Sequence, residues 1–317
     1  MMRRVALIYN PASGQINGRR AAAIESALAE LRKAGVEADA LETDAPGSAR
    51  ILARAAVRGG CDAVLACGGD GTVNEILQVL VGTDVALGVV PLGTANALAQ
   101  NLGLGQPPLL AIQRLLTAER VEVPVGRVAY RDLHGAERTR YFTVAAGVGA
   151  DALLMKSMDA ALKRKLGYAL YIFEGIRVWA TNPFPLFEAK VTRFESRAVM
   201  TAEISQLLAI RVRSFGGALG RLAPGASVKS PHLSLITFQT RNRYRYLRFL
   251  LAVIAGRHSF AHDVQLVEAE AVELRTRNGS KRHIWVEADG EVLGGLPTRM
   301  DIATEKLLLL VPPGVEP

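Results

Sequence analysis

Gly68-Gly69-Asp70-Gly71-Thr72-Val73-Asn74-Glu75 is the stretch on which the reading of this chain turns. It follows an apolar run, Ala63-Val64-Leu65-Ala66-Cys67, and precedes a helix-like stretch from Thr72 to Val81. A strand that feeds a glycine-rich turn opening onto a helix N-terminus gathers backbone N–H groups and the positive end of a helix dipole around one point, which suits a phosphate. Asp70 is the discordant residue. A carboxylate beside a phosphate repels it unless a cation such as Mg²⁺ lies between them, so the turn reads as a site for a metal-bound polyphosphate. Glycines that only make a tight turn would explain a lone Gly-Gly pair. Three glycines around an acid, followed by Thr72, fit a nucleotide better.

Outward from this turn, the chain up to about residue 124 alternates short apolar runs with helical periodicity, the pattern of a parallel sheet covered by helices. The runs predict strands at Arg4–Tyr9, Val36–Thr43, Asp62–Cys67 and Ala86–Val90. Between them Ala21, Ile24, Leu28 and Leu31 recur at helical spacing before Gly35, and Ser48 is expected to cap a second helix that ends at Gly59-Gly60. In open sheets of this kind ligands bind beyond the carboxyl ends of the strands. The loops leaving those ends carry Asn10-Pro11-Ala12-Ser13-Gly14, Thr43, the glycine turn, and Pro91-Leu92-Gly93-Thr94-Ala95-Asn96. Any one of them is ordinary loop chemistry, but four at one rim are what a nucleotide site requires.

The chain has 317 residues, half of them hydrophobic, enough for two domains and a generous core. A formal charge of +8 favours anionic partners without choosing among nucleotides, lipid headgroups and nucleic acid. The start, Met1-Met2-Arg3-Arg4-Val5-Ala6-Leu7-Ile8-Tyr9, has the look of a secretory leader, but Asn10-Pro11 interrupts the apolar run too early, and residues 4 to 9 read as a first strand. No uncharged apolar stretch approaches the roughly 20 residues needed to span a bilayer, so membrane contact is expected to be peripheral. Cys61 and Cys67 lie on one extended run, about 20 Å apart and beyond disulfide reach, which fits a reduced, cytoplasmic setting.

After about residue 125 the texture becomes strand-like: Tyr141–Ala146, Phe187–Phe194, Leu207–Val212, Leu233–Phe238, Ala271–Arg275 and Ile284–Ala288 predict a largely antiparallel second domain. Two helical insertions interrupt it. Ala150 to Ala180 carries Leu162, Leu166, Leu170 and Phe173 beside Lys156, Lys163, Arg164 and Lys165. Tyr244 to Gly256 mixes Tyr246, Phe249 and Leu250 with Arg241, Arg243, Arg245 and Arg248. Basic amphipathic helices can lie in a membrane interface, although such helices more often pack on their own domain with a solvated basic face. The domains are therefore placed at 1–124 and 125–317, with a return of the final residues onto the first domain left open.

In their order along the chain, these motifs resemble the diacylglycerol kinase catalytic-domain family, which includes bacterial soluble lipid kinases and the sphingosine and ceramide kinases. The resemblance runs through Asn10 to Gly14, Thr43, Gly68 to Glu75, Pro91 to Asn96, Gly147-Val148-Gly149, Gly216-Gly217 with Ala223-Pro224, and Asp289-Gly290-Glu291. It implies an α/β N-terminal domain like those of NAD kinases and phosphofructokinases, a C-terminal β-sandwich, and an active site in the cleft between them. It also implies ATP as donor, a lipid hydroxyl at the membrane surface as acceptor, and Mg²⁺ as cofactor.

On this resemblance Gly68, Gly69, Gly71 and Thr72 cradle phosphates, Asn10, Thr43, Gly93, Thr94 and Asn96 serve the nucleotide, and Asp70 holds Mg²⁺ directly or through water. Asn74 and Glu75 orient the metal's waters, Glu75 alternatively capping or supporting the turn. Glu291 accepts the lipid hydroxyl's proton, with Asp289 a partner of the metal's water or a supporting acid, and the choice of base between the two stays open. Were residues 289 to 291 extended, positions i and i+2 would point to one side. Asp-Gly is equally a strong hairpin signal, which by itself favours a turn. Two departures from the family stand out. Ala97 replaces a common aspartate, which would leave Asp70 and Glu75 more of the metal's burden. Val228-Lys229-Ser230-Pro231-His232 occupies the place of an acidic segment that holds a structural Mg²⁺ in bacterial members, and Lys229 argues against an ion there. The alternatives are a metabolite kinase of the NAD kinase type and a catalytically weak lipid or nucleotide sensor. A nucleic-acid role has the least support, since the basic residues are dispersed and no recognition motif is present. The lipid's identity and the oligomeric state, a homodimer included, are not legible.

Overall fold

The computed structural model describes residues 2–11, 17–93, 95–105, 107–158, 168–215, 222–223, 225–255, 263–277 and 282–316. The chain divides into two compact units, Met1–Val125 with Thr304–Pro317, and Gly126–Ala303.

The first unit is an α/β layer structure. Its strands β1 (Arg4–Tyr9), β2 (Glu37–Glu42), β3 (Ala63–Gly68) and β4 (Ala86–Pro91) run parallel in the order β2-β1-β3-β4. The last part of a long strand, Glu291–Val311, adds a fifth parallel position through Leu309 opposite Leu87. β3 and β4 are buried along their whole length, as central parallel strands covered on both faces must be. The crossovers are α1 (Asn17–Lys33), α2 (Ser48–Arg58) and α3 (Asp70–Leu80), followed by the short α4 (Ala97–Asn101) and by α5 (Pro108–Leu116). α1 packs with α5, and α2 with α3. Because β2 and β3 flank β1 on opposite sides, the connections diverge at the carboxyl ends of β1 and β3, where open sheets of this kind bind ligands. Asn10 and the glycine turn leave those two ends, and Asn10 N–H donates to Cys67 O at 3.1 Å. Cys61 and Cys67 are free thiols, both buried, and burial raises both pKa values.

The second unit is antiparallel. β5 (Glu119–Arg131), which enters it from the first unit, pairs with β6 (Glu137–Phe142). A path then runs β13-β7-β10-β11-β12-β8-β9 through β7 (Ala145–Val148), β8 (Phe187–Arg193), β9 (Val199–Ile204), β10 (Gln206–Ile210), β11 (Leu233–Phe238), β12 (Val264–Thr276) and β13 (Trp285–Ala288). β14 (Glu291–Val311) pairs with both β13 and β12, so the sheet folds back and buries a core that includes Phe142, Val148, Phe187, Leu235, Val286 and Met300. Helix α6 (Ala150–Ser157) follows β7. α7 (Tyr168–Thr181) precedes β8, and α8 (Arg243–Ile254) joins β11 to β12.

Three expectations change here. Tyr141–Ala146 is two strands, because the N–H groups of Thr143, Val144 and Ala145 donate to the Asp289 carboxylate at 3.0, 2.9 and 3.0 Å and leave the ladder. In the Ala150 to Ala180 insertion the described residues form helices at Ala150–Ser157 and Tyr168–Thr181, and Leu162, Leu166, Lys163, Arg164 and Lys165 lie outside the described residues. Ser48 does not cap α2: its hydroxyl donates to Ala45 O at 2.6 Å, and Gly47 holds the N-cap position.

Candidate functional site

β3 is apolar because it is central, and it ends where side chains would obstruct the turn. A Cβ on Gly68 would stand 2.5 Å from Thr72 Oγ1, and one on Gly93 would stand 2.6 Å from Gly69 Cα. The two loops that follow β3 and β4 therefore touch backbone to backbone, and Leu92 N–H donates to Gly68 O at 2.9 Å. Asn96 locks the second loop. Its φ of 47° lies in the left-handed region that asparagine tolerates, its Oδ1 accepts from Gly93 N–H at 3.1 Å, and its Nδ2 donates to Gly93 O at 2.7 Å. No atom lies within 4 Å of the position a Cβ would take on Gly71, in the first turn of α3, so that turn opens to space. Thr94 lies outside the described residues.

Asp70 joins the loops. Its two carboxylate oxygens accept from Asn96 N–H at 3.0 Å and Ala97 N–H at 2.9 Å, which satisfies donors at the start of α4. Position 97, where the family often carries an acid, thus contributes a backbone donor to Asp70. Asp70 is thus the carboxylate that the two turns share. Among the described residues no group of three or more His, Cys, Asp or Glu side chains could hold a metal ion.

Glu75 sits one turn into α3 and points to another helix. Its oxygens accept from Gly47 N–H at 2.8 Å and Ala49 N–H at 3.1 Å, which caps α2 in place of Ser48. Asn74 is 1% exposed and accepts from Gln78 Nε2, and Thr43, buried, donates its N–H to Tyr9 O at 2.9 Å. The first unit thus gathers Asn10, Gly68 to Thr72, Gly93 and Asn96 around two interlocked turns.

In the second unit Asp289-Gly290 forms the two-residue connection between β13 and β14. Both φ values are positive, 46° and 82°, as the hairpin favoured by Asp-Gly demands, so the extended geometry for 289 to 291 is corrected. The carboxylate of Asp289 folds back onto the three N–H groups of residues 143 to 145. Glu291, at the start of β14, pairs instead with the guanidinium of Arg140 on β6, and its side chain is 38% exposed. Sequence reasoning missed Arg140, which stands 151 positions away and carries no local motif. It also missed Asp151 and Glu287. Burial raises the pKa of both, and the two carboxyls hydrogen-bond to each other. Asp151 stands two residues after the Gly147-Val148-Gly149 segment and could have been found there.

The Val228 to His232 segment wraps a cation of the chain's own. Arg211, 1% exposed, donates to the carbonyls of Val228, Ser230 and His232 at 2.6, 2.7 and 2.9 Å. Desolvation lowers its pKa to about 10.

Among the described residues no helix is long and apolar enough to cross a membrane. Tyr246 and Phe249 of α8 are interior residues, stacked on or set against Phe238. The outward residues are Ile172, Phe173 and Ile176 on α7 and Tyr244, Leu250 and Leu251 on α8. These helices meet where Trp179 Nε1 donates to Arg243 O at 2.8 Å and Arg243 Nη1 to Ala180 O at 2.6 Å.

Residues 4–128 match the diacylglycerol kinase catalytic domain, and residues 143–311 match the YegS C-terminal NAD kinase beta sandwich-like domain. A diacylglycerol kinase of Mycobacterium tuberculosis is 29% identical over 310 residues, covering 98% of this chain and 95% of its own. One from Bacillus subtilis is 27% identical, covering 93% and 92%. A crystal structure of a diacylglycerol kinase from Bacillus anthracis superposes with a TM-score of 0.71 at 18% identity over 99% of this chain and 98% of its own. Yeast NADH kinase complexed with NADH gives 0.51 at 8% identity over 98% and 84%. At such identities the two structures speak for the fold alone.

Proposed function

Because the chain belongs to the diacylglycerol kinase catalytic-domain family, we propose that it transfers the γ-phosphoryl group of ATP to a lipid hydroxyl, with diacylglycerol the first acceptor to test. The observation that carries this reading is the interlocked pair of turns, in which bare glycine backbone lies at the N-terminus of α3 and Asp70 ties Gly68 to Thr72 to the loop after β4.

Phosphoryl transfer asks the protein for positioning and charge compensation more than for covalent chemistry. The N–H groups at the start of α3 would bind phosphate oxygens, and Asn10 and Asn96 border them. A lone carboxylate fits an ion that arrives with the nucleotide's phosphates and keeps most of its waters, which is the habit of Mg²⁺, better than it fits an all-protein cage. Asp70 would hold that ion, which when bound neutralises charge on the transferring group. Glu291 is the base for the acceptor hydroxyl, and Arg140 holds its carboxylate in one place. Asp289 fixes the hairpin from which Glu291 projects.

The acceptor is a membrane lipid, and α7 and α8 supply the surface that meets it. Ile172, Phe173, Ile176, Tyr244 and Leu251 are each more than half exposed, Arg248 lies on the same stripe of α8 as Tyr244 and Leu251, and Arg241 is exposed just before the helix begins. Apolar side chains bordered by arginines match an anionic bilayer surface.

The test is transfer of labelled phosphate from ATP, with Mg²⁺, to vesicles carrying diacylglycerol, a sphingoid base, phosphatidylglycerol or a polyprenol, with NAD as a soluble acceptor. One lipid should be labelled, and Glu291→Gln should abolish the labelling while leaving ATP binding intact. Labelled NAD with no labelled lipid would overturn the reading in favour of a metabolite kinase. Equal activity in Glu291→Gln and wild type would leave a nucleotide- or lipid-binding protein.

A further inference from the structure

The second unit contains a pair of acidic side chains in contact, Asp151 and Glu287, to which the proposed reaction gives no role. Glu287 lies on β13 directly across from Gly147 on β7 and is 3% exposed. Asp151 is in the first turn of α6, the helix packed on β13, β7 and β10. The two carboxyls meet over Gly147. A Cβ on that glycine would stand 2.2 Å from Asp151 Oδ2 and 2.9 Å from Glu287 Oε1, so the missing side chain makes the room in which they touch. The other oxygen of Glu287 faces the reaction's own hairpin, accepting from Gly290 N–H at 2.8 Å.

We infer that Asp151 and Glu287 share one proton across Gly147, and that Glu287, held in this protonated pair, is a positioning residue for the Asp289-Gly290-Glu291 hairpin. Two carboxylates this close and this buried cannot both be charged, because each would lack the water that ordinarily solvates it and each would repel the other. Keeping one proton turns the repulsion into a hydrogen bond. Glu287 carries the proton: burial and the neighbouring Asp151 and Asp289 disfavour a charge at position 287 by more than the Gly290 N–H accepted by its other oxygen favours one. Asp151 accepts. Among the described residues the elements packed around the pair offer no cation to take the proton's place. β7 and β10 bring no titratable side chain, Lys156 of α6 lies over the Trp285 ring at 3.5 Å, and Glu174 and Arg177 of α7 pair with each other. Arg140 is engaged by Glu291. The hairpin is thus held on both sides, by Asp289 on residues 143 to 145 and by Glu287 on Gly290.

The assignment of these residues to catalysis rests on the kinase reading, so the test has arms that do not. Glu287→Gln keeps the shape and both hydrogen bonds, since the amide donates to Asp151 and its oxygen accepts from Gly290. Glu287→Leu keeps neither. Infrared spectra of the wild type at pH 8 should contain a buried protonated carboxyl band that is missing in Glu287→Gln, and the Gly290 amide should be protected from hydrogen exchange in both and exchange rapidly in Glu287→Leu. In the phosphoryl-transfer assay Glu287→Leu should lose kcat on the order of 10²-fold, the effect of a slightly displaced catalytic group, with KM for ATP unchanged. Glu287→Gln should keep wild-type kcat near neutrality and hold it at alkaline pH, where the wild type falls as the shared proton leaves. A missing carboxyl band, a Gly290 amide as protected in Glu287→Leu as in wild type, or a Glu287→Gln as impaired as Glu287→Leu would each overturn the inference. If Glu287→Leu fails to fold, the isosteric Glu287→Gln pH profile and the infrared band decide. If the wild type labels no lipid, the kinase reading has failed, and the band and the exchange data still judge the pair.

Discussion

Glu75→Ala should destabilise the first unit without impairing phosphoryl transfer. The family resemblance places Glu75 beside the nucleotide, whereas its oxygens are engaged by Gly47 N–H and Ala49 N–H at the start of α2. No other side chain caps that helix, since Ser48 turns away to Ala45 O. Gly47 is exposed, so its N–H passes to water when the carboxylate is removed. Ala49 is 2% exposed, and its N–H loses its only acceptor among those described. An unsatisfied buried donor costs about 1–3 kcal/mol. Loss of an anion at a helix N-terminus adds about 0.3–1 kcal/mol. The sum is about 1.3–4 kcal/mol, centred near 2.7 kcal/mol, and Glu75→Gln, which retains one acceptor oxygen, should lose about 1 kcal/mol. Both tryptophans, Trp179 and Trp285, lie in the second unit and are blind to this change. The assay is therefore urea unfolding followed by far-ultraviolet circular dichroism, with hydrogen exchange of peptides covering residues 48–58. Faster exchange confined to α2, with kcat, KM for ATP and the Mg²⁺ requirement at wild-type values, is the expected result. Unchanged stability with a raised Mg²⁺ requirement would refute the capping argument and return Glu75 to the nucleotide.

Arg211→Met should cost about 3–5 kcal/mol, because three inward carbonyls lose a charged donor, and tryptophan fluorescence in urea should register it. Arg211→Lys should recover only part of that, since an ammonium lacks the planar fork that spans the three oxygens. Gly93→Ala should weaken ATP binding on the order of 10²-fold by forcing the two turns apart, measured by calorimetric titration; wild-type affinity would show that the loops separate freely. The second unit's stability should fall as pH rises. The folded pair keeps a proton that unfolded Glu287 gives up above about 4.3, so the stabilisation is complete below that pH and declines until the folded pair deprotonates. Glu287→Gln should flatten this slope in urea titrations between pH 5 and 9.

Several elements were legible because their causes are local. The apolar run at Ala63–Cys67, the glycines after it and the periodicity of the next helix specify strand, turn and helix without reference to distant residues, and β1, β4 and β11 were found within a residue of their ends. β14 was not. Its 21 residues mix Gly294, Gly295, Pro297 and alternating polar positions, because the strand changes partners from β13 to β12 to β4 and faces a different environment against each. The helices were legible as amphipathic but not as to which face is inside. Phe249 is buried and Tyr246 half-buried only because Phe238 arrives from β11 to receive them.

The same division runs through the acids. The sequence nominated Asp70 from its glycine turn, and the family resemblance added Glu75, Asp289 and Glu291. What each carboxylate touches was decided only by the fold. Asp70 meets the start of α4, Glu75 the start of α2, and Asp289 the three N–H groups between β6 and β7, donors supplied by segments 26 to 146 positions away. Asp151 and Glu287, 136 positions apart in the sequence, become a pair because β7 and β13 are neighbours and Gly147 leaves the space between them. A residue's type and its immediate neighbours set the chemistry it is able to do; the partners that satisfy, charge or neutralise it are long-range contacts, and these exist only once the chain has folded.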